Sequence, residues 1–200
     1  MSQPSDASHP QHEHVMHPVA PPFLPKALRS RIARTQQRYA HGKPRPLLGY
    51  LALSTTYSVG ALTLGIIARR RGEGRITTRD LLLITVATHR LSRTLAKDAV
   101  TSPMRAAFTR YTGPGLPSEV NEEVAPDREH EQLGHAVGEL VSCPFCLAQW
   151  CATALVAGQL IAPTVTRHIT STFTAVAGAD VLHFAYSALE RAEKKAQEET

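Results

Sequence analysis

Between Leu47 and Ala68 the chain reads LLGYLALSTTYSVGALTLGIIA, 22 residues without a charge. As a helix this stretch is about 33 Å long, enough to cross a hydrocarbon core of about 30 Å. Pro46 suits its first turn, where a missing N–H costs little. Arg69, Arg70 and Arg71 end it abruptly. A soluble helix of this length ordinarily shows a polar face, so the stretch predicts a membrane span. Mean hydropathy is only -0.17 because polar residues collect at both termini and in one central segment. The apolar residues lie in blocks between them.

Three further blocks complete a predicted all-α, polytopic membrane helix bundle of about four transmembrane helices over residues 46–189. The spans are expected at about 47–68, 80–97, 142–162 and 169–189. Four-residue spacings of small residues offer close helix contacts at Ser54/Ser58, Ala61/Gly65, Ala154/Gly158 and Ala175/Ala179. Gln149 and Gln159 in the third span are expected to face other helices. The second block is ambiguous, because Arg90 and Arg93 would each cost roughly 2.5–3.5 kcal/mol to insert. It reads as a span packed inside the bundle, a re-entrant segment or an interfacial helix, with the packed span preferred.

The positive charges favour cytoplasmic N- and C-termini, although the arginines after the first span pull the other way. Residues 1–22 read as a disordered His/Pro-rich tail. Residues 23–45 read as a basic amphipathic juxtamembrane segment, with Leu24, Leu28 and Ile32 between arginines, that contacts anionic lipid headgroups rather than nucleic acid. Residues 109–139 read as an acidic, solvated loop, and 190–200 as a charged cytoplasmic tail.

Three constellations could carry chemistry. Cys143-Pro144-Phe145-Cys146, with Cys151 beyond, places a thiol pair at a helix start, where the dipole favours thiolate. Such thiols serve packing, redox exchange or, with His130 and His135, a zinc ion; no cofactor is otherwise implied. His89, Arg90, Arg93 and Asp98 form a second group, and Asp180 with His183 a third. A charge in lipid demands a partner, so Arg90 or Arg93 is expected to pair with Asp180.

These residues resemble a bacterial integral membrane family of unknown function (DUF 1360). The resemblance covers roughly 47–189 and is carried by Arg90, Arg93, Asp98, Pro103 and Arg105, then Gly138-Glu139-Leu140 before Cys143-Pro144-Phe145-Cys146, then Trp150 and Asp180. Ala148-Gln149 stands where that pattern has Gly and an aromatic. The resemblance implies a multi-pass protein of the bacterial cell membrane and supplies no reaction. A structural or interaction role, alone or as a homo-oligomer, is the leading expectation. A thiol redox or metal-binding protein is the first alternative, and a small transporter or channel subunit the second. The chain has no phosphate loop, cofactor fingerprint or nucleophile with base, which leans away from an enzyme.

Overall fold

The computed structural model describes residues 25–40, 45–71, 75–128 and 131–198. The N-terminal tail and His130 lie outside the described residues. The chain is mostly helical. In order come α1 (Lys26–Ala40), α2 (Leu47–Arg71), α3 (Thr78–Lys97), a 3-10 turn, the short α4 (Ser102–Arg105), strands β1 (Thr109–Pro114) and β2 (Val120–Val124), then α5 (Gln132–Ser142), α6 (Pro144–Ile161) and α7 (Pro163–Glu198).

Contacts along the helices fix their directions. Gly49 of α2 meets Gln132 of α5, and Tyr57 further on bonds Thr153 of α6 at 2.8 Å, so α2 runs with α5 and α6. Asp80 at the start of α3 pairs with Arg167 at the start of α7. Further on, Thr174 Oγ1 donates to the Leu83 carbonyl at 3.1 Å, so α3 and α7 run together. The start of α3 therefore faces the end of α6, and the four long helices alternate in direction.

Local chemistry sets the helix starts. Thr77 caps α3, its hydroxyl accepting from Asp80 N at 3.2 Å while Thr77 N donates to Asp80 Oδ2 at 3.1 Å, a reciprocal capping box. Cys143 caps α6, its Sγ accepting from Cys146 N at 3.3 Å, and Pro144 occupies the first turn. The core is small: Ile84 and Ala87 of α3 meet Leu155 of α6, with Leu91, Val156 and Phe173 packed around them.

The segment expected as a solvated loop is instead folded. Strands β1 and β2 pair antiparallel from Thr109↔Val124 to Pro114↔Val120, with a bulge between Tyr111 and Gly113, and α5 follows. The residues of β2 alternate between half-buried and exposed, and its carboxylates find arginine partners, which an acid-rich composition conceals. Helix α6 spans Pro144–Ile161, close to the expected 142–162, and starts at the cysteine motif as Pro144 suggests, because proline cannot donate to a preceding turn. The helix expected to end at 189 continues to Glu198, with Lys194 Nζ 2.8 Å from Glu190.

Only α2 and α6 are both long and apolar enough to cross a membrane among the described helices. The expected small-residue contacts are mostly unmade within the chain: Gly65 has open space beside it, and Ser54, Ser58, Ala154, Ala175 and Ala179 are exposed. Gly158 does pack, against Thr166. Gln159 is buried, and Gln149, though exposed, faces α2 through a hydrogen bond with Tyr57, as residues that face other helices should.

The tightest approach is elsewhere, at Gly49. A Cβ there would lie 1.9 Å from the Gln132 carbonyl oxygen and 2.7 Å from Ala136 Cβ. Alanine would gain about 0.5–1 kcal/mol of helix propensity but force α2 off α5, costing typically 1–3 kcal/mol or more. Gly49→Ala is therefore expected to lower the thermal midpoint of the purified protein, followed by far-ultraviolet circular dichroism. An unchanged or raised midpoint would rule out the contact.

Candidate functional site

The polar residues singled out from the sequence gather around the end of α3 and the hairpin. Arg105 is the most enclosed, at 1% exposure. Its Nε donates to Glu122 Oε2 at 2.8 Å and Nη2 to Glu122 Oε1 at 3.0 Å, a bidentate pair. Its remaining N–H groups reach the carbonyl of Leu95 at 2.7 Å and that of Asp98 at 3.2 Å. Thr101 Oγ1 lies 2.6 Å from Nη1. One side chain thus satisfies carbonyls left over at the end of α3 and ties that end to β2. Pro103 helps set this geometry from the first turn of α4.

Arg90 spans two acids. It holds both oxygens of Asp98, at 3.3 and 3.1 Å, and its Nε lies 3.0 Å from Asp180 Oδ2. Arg93 turns instead to Glu119, with Nε donating to Oε1 at 3.0 Å. Ala99 N donates to the Ser118 carbonyl at 2.9 Å, fastening the hairpin tip to the same place. Ser118 adopts the left-handed region at φ 70°, unusual for a residue other than glycine.

These contacts frame a cleft of about 790 Å³ between α3, the hairpin tip and α7. His89, Arg90, Arg93, Glu119, Asp180 and His183 line it. The sequence groups His89/Arg90/Arg93/Asp98 and Asp180/His183 therefore come together. Glu119 and Glu122 escaped notice as site residues because they read as part of an acidic loop. The available signal was the Gly-Pro-Gly-x-Pro turn between two short strand-like runs, together with the need of each buried arginine for an acid. The Asp80–Arg167 pair, 2.9 Å between Arg167 Nε and Asp80 Oδ1, was likewise missed, although Thr77-x-x-Asp80 is a capping signature.

The cysteine motif stands apart from this cluster. Cys143 is half-buried, Cys146 exposed and Cys151 buried, and all are free thiols. His135 lies 3.5 Å from Glu139. No group of three or more His, Cys, Asp or Glu residues is arranged to hold a metal among the described residues. Glu139 also takes the Tyr50 hydroxyl and lies 3.3 Å from Arg45, joining the start of α2 to α5.

The motif residues around these groups have physical roles. A Cβ on Gly138 would sit 2.9 Å from the Phe108 carbonyl oxygen, so a side chain there would push α5 from the hairpin. Trp150 meets Tyr57 edge-on, with ring centroids 5.3 Å apart, which packs α6 on α2.

Residues 83–186 match the family described as protein of unknown function (DUF1360). The chain belongs to this family. The match runs from within α3 to the lower part of α7 and includes Arg90, Arg105, Glu122, the cysteine motif and Asp180. No curated protein and no solved structure matches the chain.

Burial acts to raise the pKa of Glu122, but hydrogen bonds from Arg105, Ser102 and Thr109 outweigh it and hold the carboxyl below its ordinary value. Because the folded-state pKa lies below the unfolded one, the stability from Glu122 is complete above roughly pH 5 and is lost as pH falls through the depressed value. Glu122→Gln leaves the Arg105 charge buried without its counter-ion, which typically costs about 3–5 kcal/mol. Thermal melts should show a large loss at neutral pH and a flatter acid dependence below about pH 5. Equal acid slopes for the two proteins would exclude Glu122 as a source of acid sensitivity.

Proposed function

We propose that this DUF1360 member is a multi-pass protein of the bacterial cell membrane, in which α2, α3, α6 and α7 cross the bilayer. Its role is structural or interactive, exercised from the charged end built by the hairpin, α4 and α5. The observation that carries the membrane reading is the exposure of α2. Its most apolar 18-residue window is only 6% buried, and that of α6 only 22%. A soluble core helix of this composition would be covered. Leu51, Val59, Leu62 and Ile66 of α2 stand exposed, as do Val181, Leu182 and Phe184 of α7. Such a surface calls for an apolar solvent.

The polar helices suit the same environment. Arg90 of α3 is neutralised by Asp98 and by Asp180 of α7, which lowers the cost of carrying charge among apolar helices. Four alternating helices return the chain to its starting side. We assign that side to the cytoplasm, because the basic segment of α1 precedes α2 and would meet the anionic leaflet there.

A second reading, thiol redox chemistry, is favoured by one observation: Cys143 and Cys146 are neighbouring free thiols at a helix start, and Cys146 is exposed.

The membrane reading is tested by alkaline carbonate washing of membranes that contain the full chain. The protein should stay in the pellet and be released only by detergent. Reporter fusions after residue 74 should report the outside, and fusions after residues 130 and 200 the cytoplasm. Release by carbonate would overturn integral insertion, and fusions after 74 and 130 reporting one compartment would overturn the four-span topology. Trapping Cys143 and Cys146 as a disulfide in rapidly alkylated cells would promote the redox reading.

A further inference from the structure

We infer that the cleft between α3, the hairpin tip and α7 binds an amphiphilic organic cation, a molecule with an apolar body and one positive charge. Its volume of about 790 Å³ falls within the range of small-molecule sites, roughly 300–1,000 Å³. Its walls are largely hydrocarbon, from Val86 of α3, Leu116 of the hairpin tip, and Val181 and Phe184 of α7. Val181 and Phe184 are 67% and 54% exposed, so the cleft opens along the uncovered apolar strip of α7. An apolar body can enter from that side.

The sign of the ligand charge follows from how the charged groups are engaged. Arg90 is already occupied by Asp98 and Asp180, and Arg93 by Glu119. With the histidines counted as neutral, the two guanidiniums and two carboxylates that line the cleft balance, and Asp98, behind the lining, adds a second carboxylate to Arg90. The ion pair to Arg90 engages Oδ2 of Asp180, whose side chain remains 42% exposed. Arg93 engages Oε1 of Glu119. An anion approaching either arginine would meet the carboxylate already paired to it. A cation need only approach carboxylate oxygen that is already presented.

The apolar walls argue against a bare metal ion, which requires several oxygen ligands at close range. A diffuse organic cation loses little hydration on entry, and an aromatic wall residue such as Phe184 suits a cation.

The probe is tetraphenylphosphonium, with tetraphenylborate as a partner of the same shape and opposite charge. Equilibrium dialysis would use the purified full-length protein in a non-ionic detergent near pH 8, where an ordinary imidazole is neutral. The phosphonium should bind saturably, and about tenfold or more tighter than the borate. Asp180→Asn should weaken it by about tenfold or more.

Because that substitution also removes a partner of Arg90, Gly178→Leu provides the independent arm. Gly178 lines the cleft, and a Cβ there meets nothing within 4 Å. Leucine should narrow the cleft and weaken binding by about tenfold or more, while leaving the melting temperature unchanged or raised, because leucine is the better helix former. Three results would each overturn the proposal: no saturable phosphonium binding, preference for the borate, or wild-type affinity in a stably folded Gly178→Leu protein. These outcomes concern the cleft alone, and carbonate extraction still judges the membrane reading separately.

Discussion

A buried guanidinium cannot shed its proton, so Arg105 obliges the chain to surround it with acceptors. The structure answers with both oxygens of Glu122 and with carbonyls at the end of α3. The position of the hairpin follows from this. Once β2 is held by Glu122, the tip carries Glu119 to Arg93 and the Ser118 carbonyl to Ala99. The tip in turn becomes one wall of the cleft. A substitution at Arg105 or Glu122 therefore acts on the cleft without touching its interior.

Helix α3 shows how charge and hydrocarbon coexist in one element. Ile84 and Ala87 bury against α6, while Arg90 and Arg93, one to two turns further on, face acids from three different parts of the chain: Asp98 after α3, Glu119 on the hairpin and Asp180 on α7. The insertion cost that makes this stretch a poor span in isolation belongs to the unpaired arginine. In the folded chain both arginines are paired, and pairing lowers the cost of carrying such charge among apolar helices. At the opposite end, Arg167 and Asp80 join the starts of α7 and α3 by the same principle.

The exposed apolar face of α2 and the small core express one distribution of residues. Hydrophobic side chains outnumber the places available inside the bundle. Close packing falls instead to small residues at single points, with Gly49 against α5, Gly138 against the Phe108 carbonyl and Gly158 against Thr166. Four-residue small spacings on α2 and α7 look like contacts in a string of letters, yet Ser54, Ser58, Gly65, Ala175 and Ala179 stand exposed within the chain.

The helical class, the first apolar helix and its arginine end, the proline-marked start of α6 and the family were all legible in the residues. Each is local: an uncharged run, a ring without an N–H, a short motif. The hairpin was not legible, because its glutamates look solvated until a buried arginine is placed beside them. Nor was the division of partners among Arg90, Arg93 and Arg105, since sequence spacing permits several pairings and only the packing of α7 and β2 against α3 selects one. The cleft belongs to that second class. Its residues come from helices about 90 positions apart: the need of a charge among apolar helices for a partner already pointed Arg90 or Arg93 to Asp180, and the packing of α7 on α3 chose Arg90.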